Sequence, residues 1–315
     1  MKKQISYLSV AILSAGLFFS SCKKENSTTP TDTTTAAEVK TGADDQSRFT
    51  TETDAVSDDA NAALENVGGS YAGESPIAPQ LHFSCDATVT VDTVSNPRTI
   101  TITYNGDSCI GNHRTRSGSV VISFVPGFHW NTAGAHYTVT YHNLIITRKP
   151  DTKSITMNGE KTITNVSGGK LRNLATRTSP IVHEVTSSGM SITFDDGTQR
   201  SWQIAKRRTF TYDNGIVISV TGISSLGGGI AEWGINRFNK NFTSAILEPL
   251  VVRQSCNFRL VSGKVEHKGP AVTSTTTFGL DANGNAVTSC PSGPFYYKVV
   301  WMGTNGNSYT YIGPY

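Results

Sequence analysis

The sequence lacks the short motifs of the common nucleotide and hydrolase chemistries. It has no Gly-x-Ser-x-Gly elbow, no His-Glu-x-x-His zinc helix, no Walker loop and no dinucleotide fingerprint. Nucleotide-dependent catalysis is excluded with them, no cofactor or catalytic metal is expected, and nothing points to nucleic acid. A long membrane-crossing run is also missing. The apolar stretch from Ile5 to Phe19 is diluted by Ser6, Ser9 and Ser14 and falls short of the roughly 20 residues a bilayer requires. After residue 81 helical periodicity is missing too: its best window, Trp233 to Leu247, is broken by Gly234 and thin in apolar repeats. No fixed period recurs, which argues against a solenoid.

What the N-terminus does contain is an order of features. Lys2 and Lys3 precede the apolar stretch, and the small pair Ser20-Ser21 precedes Cys22. This is the charged, apolar, small-residue sequence of a secretory signal. Phe19-Ser20-Ser21-Cys22 resembles the lipobox of bacterial lipoproteins, with Phe19 where Leu or Val is commoner. Residues 1–21 are therefore expected to be a signal peptide and Cys22 the lipidated first mature residue, holding the protein to a membrane through its acyl chains. Lys23-Lys24-Glu25 just after the cysteine resembles the charged export signals that send lipoproteins to the cell surface in the Bacteroidota, and that resemblance implies the outer membrane and its cell-surface side over the periplasmic side.

Residues 22–80 are rich in Ser, Thr, Asp, Ala and Glu and poor in large apolar groups, so the segment reads as a disordered tether. One short helix is expected within it over 54–67, where Val56, Ala60, Ala63, Leu64 and Val67 recur at helical spacing before Gly68-Gly69. Charge divides at the same boundary: residues 23–80 carry four basic and eleven acidic side chains, residues 81–315 carry 21 basic and 13 acidic. A basic domain on an acidic leash suits a glycan or polyanionic ligand; the plainer reading is that the cations solvate a large β surface.

Four cysteines follow Cys22, and an even number in an exported chain points to disulfides. Val89 and Val91 alternate on one side of Ser95-Asn96-Pro97-Arg98, and Ile100, Ile102 and Tyr104 on the other. Folding the chain at that turn sets Cys85 opposite Cys109 and leaves Cys256 for Cys290. A zinc site built from His82, Cys85, Cys109 and His113 is the rival arrangement.

From 81 to 315 the dominant period is two, as in Thr99 to Tyr104, Tyr137 to Tyr141, Ile216 to Val220 and Tyr309 to Ile312. Turns such as Asp195-Asp196-Gly197 and Asp213-Asn214-Gly215 separate the runs. The expected fold is all-β and antiparallel, a sandwich or a curled extended sheet, as one unit or two smaller sheets. Strand-interior glycines at 118, 159, 222 and 263 are expected to mark bends.

For chemistry, Glu160, Glu184, Asp195, Asp196, Glu232 and Glu266 supply carboxylates from which a glycosidase pair could be drawn. His183 and Glu184 are adjacent on a strand and must face opposite sides. Trp130 and Trp233 follow Gly-rich, loop-like stretches and are the candidates for stacking on a ligand, whereas Trp202 and Trp301 sit in strand patterns and belong to the core. In Trp202-x-Ile204-x-Lys206-Arg207-Arg208-x-Phe210, parity sets Lys206 and Arg208 on the face of the rings and Arg207 opposite.

Cys85 through Cys109, Arg114 to Gly118, Tyr137 to Thr140, Met157 to Asn165, and the later series Trp202, Arg207-Arg208, Cys256, Val261-Ser262-Gly263 and Cys290 resemble a family of cysteine-containing, β-rich Bacteroidota lipoproteins. The resemblance covers most of residues 80 to 300. It implies an anchored, disulfide-stapled β protein and supplies no active site. The expectation is a non-enzymatic binding or structural module of the cell envelope, with a glycan-directed hydrolase as the alternative.

Overall fold

The computed structural model describes residues 30–71, 85–108, 114–149, 151–270, 272–303 and 306–315, with the side chains of the first segment described over 36–65. A single long helix, α1 (Pro30–Tyr71), comes first. Fourteen strands follow: β1 (Ala87–Asp92), β2 (Arg98–Asn105), β3 (Arg114–Phe124), β4 (Ala135–Arg148), β5 (Ser154–Asn165), β6 (Ile181–Phe194), β7 (Gln199–Tyr212), β8 (Ile216–Gly222), β9 (Ile230–Ile235), β10 (Asn241–Arg253), β11 (Arg259–Lys268), β12 (Thr273–Leu280), β13 (Tyr296–Met302) and β14 (Ser308–Pro314). They form one antiparallel meander in which each strand pairs with its predecessor. The exception lies between β7 and β10. There β8 pairs with Lys206–Tyr212 of β7, β9 pairs with Ser201–Ile204, and both also pair with β10, sharing one slot end to end.

The fold class expected from period two is the one observed, and of the two architectures left open it is the curled single sheet. The meander is one continuous sheet with two apolar cores, one mainly from β2–β7 and one mainly from β8–β14. Its curl follows from bulges. Register shifts fall on the consecutive pairs β3–β4, β4–β5, β5–β6 and β6–β7, and again on β10–β11. Bulges bend a strand and increase its twist. Gly118 (φ +101°) sits across one of them, so close to its neighbour that a Cβ would lie 2.3 Å from the Asn143 carbonyl oxygen; at Gly159 (φ +118°) the corresponding distance, to Gly189 O, is 2.4 Å. Only a residue without a side chain fits either position.

The expectation of a disordered tether with a short helix at 54–67 is corrected over the described part of 22–80. The helix is 42 residues long and is packed inside the curl. Between Asp45 and Glu65 only Thr51 is exposed. At one end of β4, Asp44 bonds Arg148. At the other, Asn61 accepts from Trp130 in the β3–β4 loop, and Glu65 from the Leu171 and Arg172 amides in the β5–β6 loop. Composition misled because the segment does not bury an apolar face by itself. It is enclosed by strands that supply the apolar atoms and the opposite charges.

Cys256 and Cys290 form a disulfide with Cα atoms 5.3 Å apart. The β1–β2 hairpin has the expected register, with Val89 opposite Ile102 and Val91 opposite Ile100. Cys85 is disulfide-bonded, which leaves no thiolate there for zinc. Cys109, His82 and His113 lie outside the described residues, as do Cys22 and the whole of 1–21.

Candidate functional site

The inner face of the sheet is lined with cations, and α1 brings the anions to them. In β7 the strand alternates as expected: Trp202, Ile204, Lys206, Arg208 and Phe210 all point inward and are buried, and Arg207 points outward to Glu184. Inward here means toward the helix and not toward a groove. Arg208 meets Asp58 at 2.8 Å. Arg116 on β3 clasps Asp86 through two nitrogens at 2.9 Å and Asp59 through the third at 2.8 Å, and the Tyr104 hydroxyl donates to the same Asp59 oxygen. Arg114 meets Glu52 at 3.1 Å, and Arg237 holds Asp45 by two bonds of 2.7 and 2.8 Å. The acidic excess of 23–80 and the basic excess of the β domain are thus, in large part, the two halves of one interior.

The most enclosed part is a group on β7, β9 and α1. Glu232 lies 2.6 Å from the Lys206 ammonium and 3.3 Å from Arg200, and accepts from Gln46 at 2.7 Å. Arg200 in turn donates to the Gln46 amide oxygen at 2.7 Å while its guanidinium packs over the Phe49 and Phe242 rings. Burial pushes the Glu232 carboxyl up, but Lys206 and Arg200 outweigh it and hold the group below the ordinary carboxylate range. Burial would lower the Lys206 ammonium, yet the same carboxylate keeps it above its usual value. At Asp45 the balance is reversed: burial wins over Arg237 and raises the carboxyl to about 6. Lys161 is fully enclosed, donates to Thr53 O at 2.6 Å and Ser57 Oγ at 2.7 Å, and is lowered by burial to about 7. Burial lowers His183 to about 3.

The sequence-derived carboxylates do not converge. Glu160, Glu184 and Glu266 occupy the outer face, where Glu184 meets Arg207 at 2.7 Å, whereas Glu232 is inside. Asp195-Asp196-Gly197 is the expected turn, with Thr198 N donating to Asp196. The two members of the stacking pair differ in placement. Trp130 stands in a loop but turns inward, 5% exposed, with its Nε1 bonded to Asn61 and its ring edge-on to Tyr137. Trp233 is half-buried within β9 and not presented by a loop. Trp202 and Trp301 are in the core, as expected.

Two cavities open at the ends of the sheet. The first, of about 550 Å³, surrounds the N-terminal part of α1, and its charges are engaged with one another: Asp44 with Arg148, Asp45 and Asp196 with Arg237, and Lys40 over the Tyr311 ring. The second, of about 420 Å³, lies at the opposite end between the β3–β4 and β5–β6 loops and is lined by Lys170, Arg172 and Arg177 with Asn131 and Asn173, and by no carboxylate. No signal in the sequence singled it out, because its walls come from two loops some 40 residues apart. Among the described residues no group of acidic, His and Cys side chains is arranged to hold a metal ion, and no helix is long and apolar enough to cross a membrane. Comparisons with protein-family models, with curated proteins and with solved structures gave no match.

Proposed function

We propose that this protein is a lipid-anchored module of the outer membrane, displayed at the cell surface, that binds or scaffolds rather than catalyses. The observation that carries this reading is the course of α1. Pro30 follows Cys22 by eight positions in the sequence, and the helix that begins there is packed against the sheet, with Asp44 bonded at one end of β4 and Glu65 at the β5–β6 loop. A helix packed against the strands along its length stiffens the part of the chain nearest the anchor, where a loose leash would not. The interior ion pairs support a holding role, because each inward carboxylate named above is already bound by a cation or by backbone amides.

The test has two arms in living cells. Labelling with a palmitate analogue should mark the wild type and not Cys22→Ala, and external protease or antibody should reach the wild type on intact cells. Loss of the first difference removes the anchor; protection from external reagents removes surface display. A glycan panel assayed for turnover with purified protein addresses catalysis, and hydrolysis abolished by Glu184→Gln or Glu232→Gln would reverse the non-enzymatic reading.

A further inference from the structure

The two edges of the sheet are built differently. Among the described residues β1 pairs only with β2 and β14 only with β13, so each has one side without a neighbouring strand. In an antiparallel ladder alternate residues turn their N–H and C=O to the partner strand, and those between turn theirs away. Asn105 N donates to Asp86 O at 2.9 Å, in the register that sets Ala87 opposite Tyr104. Thr88, Thr90 and Asp92 therefore direct their backbone groups to β2, whereas Ala87, Val89 and Val91 present theirs outward. On β14, Tyr315 N donates to Phe295 O, so Tyr309, Tyr311 and Gly313 face β13 while Ser308, Thr310, Ile312 and Pro314 face away. Pro314 has no N–H to offer.

Exposed edges are ordinarily blunted by lysine, proline, a bulge or a cover, because a row of unpaired backbone groups invites another strand. The β14 edge has its proline. The β1 edge has none of these: Ala87–Asp92 contains no lysine or proline, and its register runs unbroken from Ala87 opposite Tyr104 to Asp92 opposite Thr99. Every residue from Thr88 to Val91 is β-branched, the class that suits a strand. On the inner side Ala87 and Val89 pack against the core while Val91 stays 39% exposed; on the outer side Thr88, Thr90 and Asp92 are exposed.

We propose that β1 is a homodimer interface, in which the β1 strands of two copies pair antiparallel about a two-fold axis through Val89. The occupant is a second copy because the strand is complementary to itself. With Val89 opposite Val89, Ala87 falls opposite Val91, and every outward N–H and C=O of both strands finds a partner. Moving the axis by one residue sends either Ala87 to Thr93 or Val91 to Cys85, outside the strand. On the outer side Thr88 meets Thr90 of the other copy, a pairing whose hydroxyls bond across strands. Asp92 falls opposite Asp86, whose carboxylate is already held by two Arg116 nitrogens at 2.9 Å. On the inner side the valines extend the apolar face of the first core. Each copy has one such edge, so the pairing closes at two. The inference concerns how copies meet and does not rest on the binding reading above.

The experiment is sedimentation of the purified full chain across a dilution series in density-matched detergent, where any sharing of micelles is common to all variants. The wild type should pass from monomer to dimer as concentration rises. Val91→Pro deletes an outward N–H and no bond to β2, and should weaken dimerisation about tenfold or more. Thr88→Lys with Thr90→Lys sets like charges opposite each other across the axis and should weaken it comparably; Thr88→Lys with Thr90→Glu sets opposite charges there and should recover it. Thr310→Lys, on the other edge, should change nothing. Circular dichroism and melting temperature establish that each variant is folded, and the two double variants carry the test should Val91→Pro fail to fold. The proposal is overturned by a wild type that stays monomeric throughout, by a dimer that a folded Val91→Pro leaves intact, by equal dissociation of the two double variants, or by dissociation in Thr310→Lys.

Discussion

Lys206 and Glu232 face each other at 2.6 Å in the interior of the curled sheet, one on β7 and one on β9, and both are almost completely withdrawn from water. Such a pair is costly to assemble and more costly to break, because removing one partner leaves a charge with neither water nor counter-ion. Glu232→Ala should therefore lower stability by about 3–5 kcal/mol. Glu184→Ala, which breaks the exposed pair with Arg207, should cost about 1 kcal/mol or less. Urea denaturation of the two variants side by side checks this, and equal costs would contradict the interior placement of Glu232.

Phe49 separates an enclosed helix from a loose leash. Its ring is fully buried against Phe194 and Trp202 at centroid distances of 5.7 Å. Phe49→Ala should lower stability by about 3–5 kcal/mol, as for other large-to-small changes in a core. A substitution in a disordered tether would leave the melting transition where it was.

Lys161 makes stability depend on pH in the alkaline range. Its folded-state value of about 7 lies below its ordinary 10.5, so between these limits the unfolded chain binds the extra proton and stability rises with pH. The facing groups are Asp54 and Asp58, which favour the charged form, and Lys206 and Arg208, which oppose it. Denaturation midpoints compared at pH 7 and pH 10 should rise more in the wild type than in Lys161→Met. A larger rise in the variant would contradict the assignment.

Gly118 and Gly106 share positive φ but differ in their surroundings: a Cβ at 118 would strike the Asn143 carbonyl, whereas at 106 it would meet open space. Alanine at either site carries the backbone strain; only at 118 does it add a collision with the neighbouring strand. Gly118→Ala should be the more destabilising by roughly 1–3 kcal/mol in thermal melts, the usual range for overpacking.

Much of the sheet was legible because strand parity is a local property. The alternation from Trp202 to Phe210, the split of His183 from Glu184, and the bends at Gly118, Gly159 and Gly263 all follow from a period of two and from the missing side chain of glycine. The direction a face points is not local. Lys206 and Arg208 read as cations beside aromatics, and only the folded chain shows that the medium they face is a protein helix. The helix was itself half visible. Val39, Gln46, Thr53 and Ala60 recur every seven residues, as do Phe49, Val56 and Ala63, and all seven are buried. Gln46 and Thr53 interrupt the apolar count, and so the pattern surfaced only from Val56 onward. Trp130 was misplaced for a related reason: a loop position does not fix the side a ring takes, and Asn61 on α1 decides it.

Lys40 lies over the ring of Tyr311, so the beginning of α1 is in contact with the last strand of the meander. α1, made before the strands, must wait for β14, and the apolar and charged inner faces of the strands between them have no complete partner until both are present. Contacts this distant along the chain slow folding. They also tie distant elements into one interior: a copy that lacks either α1 or β14 forfeits part of it.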